Sequence, residues 1–168
     1  MKESILAELI ACQQAGSSLE QAFYQNQEVF NLDMNKVISQ QWLLVDHVSR
    51  ISEKGDYFLF EVANESIIIV RTQDDSVGAF YNVCRHRGTP LCSNKEGSKK
   101  LFVCPYHGWS YDLEGNLKQA ADMPDSFEKQ ENGLVPCHIA IIEGLIFVCL
   151  EKNNPPDIGK TYSAFLPY

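Results

Sequence analysis

The sequence has no apolar run long enough to cross a bilayer, since SIIIV and LIFVCL fall far short of the about 20 residues that a transmembrane helix needs. It has no basic excess: 14 Lys and Arg stand against 22 Asp and Glu, a net charge of −8 that argues against nucleic-acid binding. The N-terminus carries acids and lacks the apolar core of a signal peptide, so we expect a cytoplasmic protein. Six cysteines without an export signal favour free thiols and metal ligands over disulfides.

The chain divides by pattern into three parts, and its 168 residues suffice for one domain with a buried core. Helix-like spacing of apolar residues predicts a helical segment over residues 1–42. One predicted helical face consists of Ile5, Leu6, Leu9 and Ile10. Residues 151–168 are typical of a linker toward a domain that this chain does not contain. The apolar residues near the end of this linker, which predict a packing partner, are Phe165, Leu166 and Tyr168.

The middle part, residues 43–150, predicts a mainly β domain. Seven short runs of β-branched and aromatic residues alternate with turn signals, which is typical of an antiparallel sandwich or barrel. The glycines in DLEGNL and IIEGLI predict tight hairpin turns, because glycine adopts a positive φ at little cost.

Two segments of this domain each place a cysteine close to a histidine. CRHRG contains Cys84 and His86, and CPYHG contains Cys104 and His107, with 17 residues between the two pairs. A disulfide scaffold, a zinc site and an iron–sulfur cluster are the candidate explanations. Zinc accepts two Cys and two His, but zinc fingers usually take like ligands from each knuckle. A [2Fe–2S] core with cysteines on one iron and histidines on the other accounts better for the mixed pairs.

These segments resemble the Rieske motif of the Rieske non-haem iron oxygenases, and the similarity extends from about Phe23 through LIFVCL. The upstream residues are most similar to the choline monooxygenase and glycine-betaine oxygenase group. The resemblance implies a Rieske-type β fold with a cluster-binding subdomain at about 82–124. It also implies that Cys84 and Cys104 ligate one iron and that His86 and His107 ligate the other. The matching residues around these ligands are Arg85, Arg87, Gly88, Pro105, Tyr106, Gly108 and Trp109.

Two departures distinguish this motif from that of the respiratory-chain Rieske proteins. Those proteins have an additional cysteine in each loop, joined by a disulfide, where the second loop here has Tyr106. They also have a serine that donates to a cluster sulfide, where this chain has Trp109. Fewer hydrogen bonds to the sulfurs predict a potential toward the low end of the Rieske range, near about −150 mV. We expect Trp109 to cover the cluster. Arg85 and Arg87 can be solvated loop charges, whereas the resemblance implies that they brace the loops or meet an acidic partner.

The family's oxygenases hold a mononuclear Fe(II) in a further domain, by two histidines and a carboxylate. The two histidines left here, His47 and His138, form no such motif, so we expect no catalytic residue in this chain. The resemblance therefore implies one-electron transfer, as the N-terminal domain of a mono- or dioxygenase α-subunit. The donor would be an NAD(P)H-dependent reductase or a ferredoxin, the acceptor the oxygenase catalytic domain, and the parent can be a homotrimer. A stand-alone Rieske-type ferredoxin and a zinc-stabilised interaction module are the alternatives.

Overall fold

The computed structural model describes residues 3–124 and 126–163, which form three antiparallel sheets and a helical N-terminal segment. The helices are α1 (Glu3–Cys12), α2 (Ala22–Gln25), α3 (Gln27–Lys36) and α4 (Ile158–Ser163). None of these helices of the described residues is long and apolar enough to cross a membrane. Phe165, Leu166 and Tyr168 lie outside the described residues.

The N-terminal helices bury only part of their apolar surface. Asn26 caps α3, because its Oδ1 accepts from the backbone N–H groups of Glu28 and Val29, and Val29 is buried. Ile10 is 60% exposed, although we predicted it on one helical face with Ile5, Leu6 and Leu9, which are half-buried. It lies about 100° around the helix from Leu9, which turns it away from that face.

Ten strands form the sheets of the described residues, and the predicted mainly β, antiparallel fold is confirmed. The sheets have the orders β1-β10-β9, β4-β3-β2-β5 and β6-β7-β8. The strands are β1 (Leu43–His47), β2 (Asp56–Val62), β3 (Glu65–Arg71), β4 (Val77–Tyr81), β5 (Glu96–Ser98), β6 (Phe102–Val103), β7 (Ser110–Tyr111), β8 (Leu117–Gln119), β9 (His138–Ile142) and β10 (Leu145–Cys149). Our seven predicted runs omit β1 and β5 and merge β7 with β8.

Strand β3 is buried on both faces and joins two cores. Successive side chains of a strand point to opposite faces. Ile67 and Ile69 therefore pack with β10 in the core between the two larger sheets, while Ile68 and Val70 face the other core. All four are fully buried, which explains why this strand is a continuous apolar run rather than an alternating one.

The loops that contain the Cys/His pairs pack into the second core. Cys84 and Cys104 are part of it, together with large side chains from all three strands of the small sheet. These are Phe102 from β6, Tyr111 from β7 and Leu117 from β8. The loop after β4 and the loop between β6 and β7 are therefore anchored in one apolar cluster, although 17 residues separate their ligand pairs.

The two predicted hairpin turns are confirmed, and each uses a glycine with a positive φ. Gly115, with φ +83°, turns the chain from β7 into β8, and Gly144, with φ +80°, joins β9 to β10. A Cβ added at Gly115 would lie 2.6 Å from Cε1 of the Phe80 ring. The DLEGNL turn is thus fixed by backbone conformation and by close packing on Phe80.

We predict that Gly115→Ala destabilises the fold, because alanine disfavours the positive φ and its Cβ meets the Phe80 ring. The free energy of unfolding, measured by denaturant titration, should fall by more than about 1 kcal/mol, because alanine is incompatible with the native backbone conformation at this position. Gly16→Ala is the matched control, since Gly16 has φ +81° but nothing within 4 Å of an added Cβ. Equal losses in the two variants would contradict a role for Phe80.

Candidate metal centre

The two loops that carry the Cys/His pairs close in the same way. In each loop a glycine N–H donates to the carbonyl of the cysteine four residues earlier, at 2.9 Å for Gly88 and 3.1 Å for Gly108. The cysteine N–H in turn donates to a carbonyl five residues ahead, at 2.8 Å for Cys84 and 2.7 Å for Cys104. Both glycines have positive φ, +72° and +74°, and an added Cβ would have open space. The two loops therefore contain the same type of turn, and the positive φ of Gly88 and Gly108 is the reason that each turn requires a glycine.

The two histidines lie at different distances in sequence from the cysteines of their loops, yet they are close together in the structure. His86 follows its cysteine by two residues and His107 by three. Their Nδ1 atoms lie 3.0 Å apart. Two lone pairs repel at that distance, so the space between them suits either a proton or a shared metal ion. Two ligands with metal–nitrogen bonds of about 2.1 Å and a tetrahedral angle would lie about 3.4 Å apart, close to this separation.

The cysteines have a different environment from the histidines. Cys84 and Cys104 are 2% and 3% exposed, whereas His86 and His107 are half-buried. Desolvation lowers the pKa of the His86 imidazole, and the nearby His107 and Arg87 lower it further. The lowered pKa favours the neutral ring, which is the form that ligates a metal. Buried sulfurs with partly open imidazoles therefore fit a cluster that has one protected and one accessible end.

The two imidazoles rest on different aromatic side chains. The ring of Trp109 is stacked on that of His86, with centroids 4.8 Å apart and planes 8° from parallel. The centroid of the Tyr106 ring lies 3.8 Å from that of His107. Trp109 is buried, whereas Tyr106 is 60% exposed. Trp109, which we expected to cover the cluster, lies flat against the predicted ligand His86, and Tyr106 packs on the predicted ligand His107 at the surface.

Tyr111, which our sequence analysis did not identify, contacts a predicted ligand directly. Its hydroxyl lies 3.5 Å from Cys84 Sγ and accepts the Arg85 backbone N–H at 3.1 Å. Burial raises the pKa of the Tyr111 phenol, so it remains a neutral donor toward a thiolate at Cys84. The sequence signal was weak, because tyrosine in an aromatic strand is ordinary core.

Asn82 is a second residue that our sequence analysis missed, and it closes the first loop. Its Oδ1 accepts from the backbone N–H groups of Leu91 and Cys92, each at 2.9 Å, and its Nδ2 donates to the Cys92 carbonyl at 2.8 Å. Asn82 is only 3% exposed, and a buried side-chain amide needs such partners. It therefore ties the start of the loop to its end.

The remaining thiols and charges play no comparable part. Cys137 belongs to the other core, and its Sγ donates to the carbonyl of buried Cys149 at 3.2 Å. Burial raises the pKa of the Cys137 thiol to about 12, so it stays protonated. Arg85 and Arg87 are exposed, and neither forms an ion pair with another described residue. Among the described residues no group of three or more His, Cys, Asp or Glu could hold a single metal ion.

The geometry agrees with what comparison with known proteins finds. Residues 41–138 match the model of the Rieske [2Fe-2S] domain. The chain belongs to the Rieske [2Fe–2S] domain family. It is 38% identical over 153 residues to the glycine betaine monooxygenase oxygenase subunit of Chromohalobacter salexigens, covering 90% of this chain and 34% of that protein. It is 34% identical over 144 residues to the benzene 1,2-dioxygenase subunit alpha of Pseudomonas putida, and the match covers 84% of this chain and 32% of that protein.

Solved structures of Rieske oxygenases have the same fold. The apo form of a quaternary ammonium Rieske monooxygenase superimposes with a TM-score of 0.81 at 30% identity, covering 88% of this chain and 43% of that one. The family resemblance is therefore confirmed, and the cofactor of this Rieske domain is a [2Fe–2S] cluster. The chain spans about a third of the length of the curated relatives that it matches.

We predict that Tyr111→Phe keeps the cluster and lowers its midpoint potential, because the reduced, more negative state loses a hydrogen bond at Cys84. A difference of about 1 kcal/mol, the scale of one net hydrogen bond, corresponds to about 40 mV for one electron. Tyr106→Phe is the matched control, since that hydroxyl is on an exposed residue beside His107. Redox titration of both variants would contradict this role of Tyr111 if their potentials shifted equally.

Proposed function

We propose that the chain carries one electron at a time through its [2Fe–2S] cluster, as a domain of a larger Rieske oxygenase α-subunit. Cys84 and Cys104 would hold one iron, and His86 and His107 the other. The observation that carries the proposal is the 3.0 Å approach of the two imidazole Nδ1 atoms in loops whose cysteines are buried. The bound cluster supplies a one-electron couple, whose potential two neutral imidazoles raise above that of an all-cysteine site.

The residues around the predicted ligands would make the cysteine end and the histidine end of this site differ in their access to solvent. Tyr111 is buried beside Cys84 and would keep water from the cysteine end, where solvent would alter the potential, while buried Trp109 would shield one face of His86. His86 and His107 are half-buried, so their ring edges would offer the electron a short path to a partner. The two closed turns would fix both ligand types of each loop before the cluster forms.

The parent protein, its partners and the domain boundaries belong to the same proposal. The donor would be an NAD(P)H-dependent reductase or a ferredoxin, and the acceptor a mononuclear Fe(II) in a catalytic domain outside this chain. Relatives that are oxygenase subunits support this assignment. In one solved quaternary ammonium Rieske monooxygenase, electrons pass between subunits. This supports a multimeric parent such as a homotrimer. We keep the domain boundaries at 1–42, 43–150 and 151–168.

The free thiols support a reducing compartment for this protein. All six cysteines are unpaired in the structure, and four of them outside the CRHRG and CPYHG segments have no ligand role in the proposal. Reduced thiols persist in the cytoplasm, where glutathione and thioredoxin maintain them. We therefore propose a cytoplasmic location.

The first test of this function is the composition of the purified protein. We expect two irons and two acid-labile sulfides per chain, because a [2Fe–2S] cluster contains both, and a reddish-brown colour that bleaches with dithionite. Metal and sulfide analysis, with electron paramagnetic resonance of the reduced sample, measures this directly. One zinc and no sulfide would instead support a zinc-stabilised interaction module.

The ligand assignment is tested by the iron content of all six Cys→Ser variants purified in parallel. Cys84→Ser and Cys104→Ser should lose the cluster, because each removes a thiolate ligand. The four variants that should keep iron and sulfide, and that serve as controls, are Cys12→Ser, Cys92→Ser, Cys137→Ser and Cys149→Ser. Among these, we expect Cys149→Ser to lower stability through a buried hydroxyl. Loss of the cluster in Cys137→Ser, with retention in Cys84→Ser, would make the assignment wrong.

A further inference from the structure

One aromatic contact of the site crosses from the second loop to the first. Trp109 belongs to the second loop, two residues after His107, yet its ring is stacked on that of His86 in the first loop. The His107 ring also meets the His86 ring, edge to face, with centroids 4.5 Å apart. Two rings of the second loop therefore contact the single imidazole of the first.

Trp109 is itself fixed by the turn of its own loop. Its carbonyl accepts the Cys104 N–H at 2.7 Å, so the hydrogen bond that closes the second turn also places the indole. Its Nε1 donates to the Ala121 carbonyl at 3.4 Å, and the Phe127 ring packs against the indole with centroids 5.5 Å apart. Trp109 is only 2% exposed. The residue is thus held at its carbonyl, at its side-chain N–H and at its ring.

The first loop does not return this support to the second. The position equivalent to Trp109 is Thr89, whose carbonyl accepts the Cys84 N–H at 2.8 Å. Threonine has no aromatic face, so it cannot stack on an imidazole. His107 packs instead on Tyr106, its neighbour in the same loop. The support given by stacking therefore runs in one direction, from the second loop to the histidine of the first.

A stacked indole restricts an imidazole in a way that other apolar side chains do not. The torsion about the Cβ–Cγ bond of histidine is broad, so an unsupported ring turns about this bond at little cost. Turning the ring tilts its plane, and an indole within 8° of parallel blocks this movement of His86. The His86 Nδ1 is thereby kept at 3.0 Å from that of His107. Aromatic pairs also gain stability beyond the apolar area that they bury.

We propose that Trp109 is a positioning residue, which fixes the plane of the His86 ring so that its Nδ1 is presented to the metal site. The inference rests on the proposed function, in which His86 ligates iron, and adds the requirement for a flat ring at position 109. It differs from shielding of the site, for which any apolar side chain of sufficient size would serve. Side chains that orient a metal ligand typically affect metal affinity as strongly as they affect chemistry at the metal.

Trp109→Leu and Trp109→Phe separate positioning from shielding, because both new side chains are apolar but only phenylalanine keeps a flat ring. We expect iron release from the holoprotein to a chelator, followed by the loss of cluster absorbance, to become about fivefold faster in Trp109→Leu. In Trp109→Phe it should change by less than about twofold. Resonance Raman spectra, with isotopically labelled histidine to identify the iron–imidazole bands, should show broadened bands in Trp109→Leu only. Phe80→Leu, which removes an aromatic ring from the same core, is the control and should leave these bands unchanged.

A double-mutant cycle tests whether Trp109 acts through His86. His86→Cys removes the ring that the indole contacts, while its thiolate can still bind iron. The effect of Trp109→Leu on iron release should therefore disappear in the His86→Cys background and persist in the His107→Cys background. If a cysteine variant holds no cluster, the comparison of Trp109→Leu with Trp109→Phe decides alone.

Three results would overturn the inference. They are equal iron release in Trp109→Leu and Trp109→Phe, iron–imidazole bands that Trp109→Leu leaves unchanged, and an effect of Trp109→Leu that persists in full in His86→Cys. Failure of Trp109→Leu to assemble a cluster, when Trp109→Phe and Phe80→Leu succeed, supports it. A wild-type protein without iron–imidazole bands would instead refute the proposed function, because no histidine would then ligate iron.

Discussion

The site depends on two loops, distant in sequence, that each close on their own backbone. Each loop does so by a glycine N–H that returns to the cysteine carbonyl four residues earlier. Since the cysteine is held at both its N–H and its carbonyl, its sulfur points into the apolar core rather than toward water. The histidines are then left near the surface, and the separation of sulfur and nitrogen donors follows from the turns themselves.

Strand β3 connects this site to the rest of the domain. Its alternate side chains belong to two cores, one between the larger sheets and one beneath the loops. Strands β2 and β4 also contribute to both cores, through Tyr57 and Phe58 and through Ala79 and Phe80, so a change in one core reaches the other through three adjacent strands. Asn82 extends this connection, because its backbone N–H donates to the Ser66 carbonyl of β3 and its side chain closes the first loop.

The Cys/His pairs, the continuous apolar strand and the glycine turns could be predicted from the sequence, because each of these has a local cause that residue type reveals. Strand β5, Glu96–Ser98, has no large apolar residue and is exposed, so only its pairing with β2 defines it. The roles of Asn82 and Tyr111 depend on partners 9 to 27 residues away in sequence, and neither type is unusual at its position. Periodicity and motif spacing contain no information about such contacts.

The unequal offsets of the two histidines break the symmetry between two otherwise identical turns. His86 and His107 reach a common point from positions two and three residues beyond their cysteines. The His86 ring is stacked on the buried indole of Trp109, and the His107 ring packs against the exposed phenol of Tyr106. The two imidazole nitrogens consequently experience different local fields, and a magnetic spectroscopy that resolves nitrogen hyperfine couplings would register two sites rather than one doubled signal.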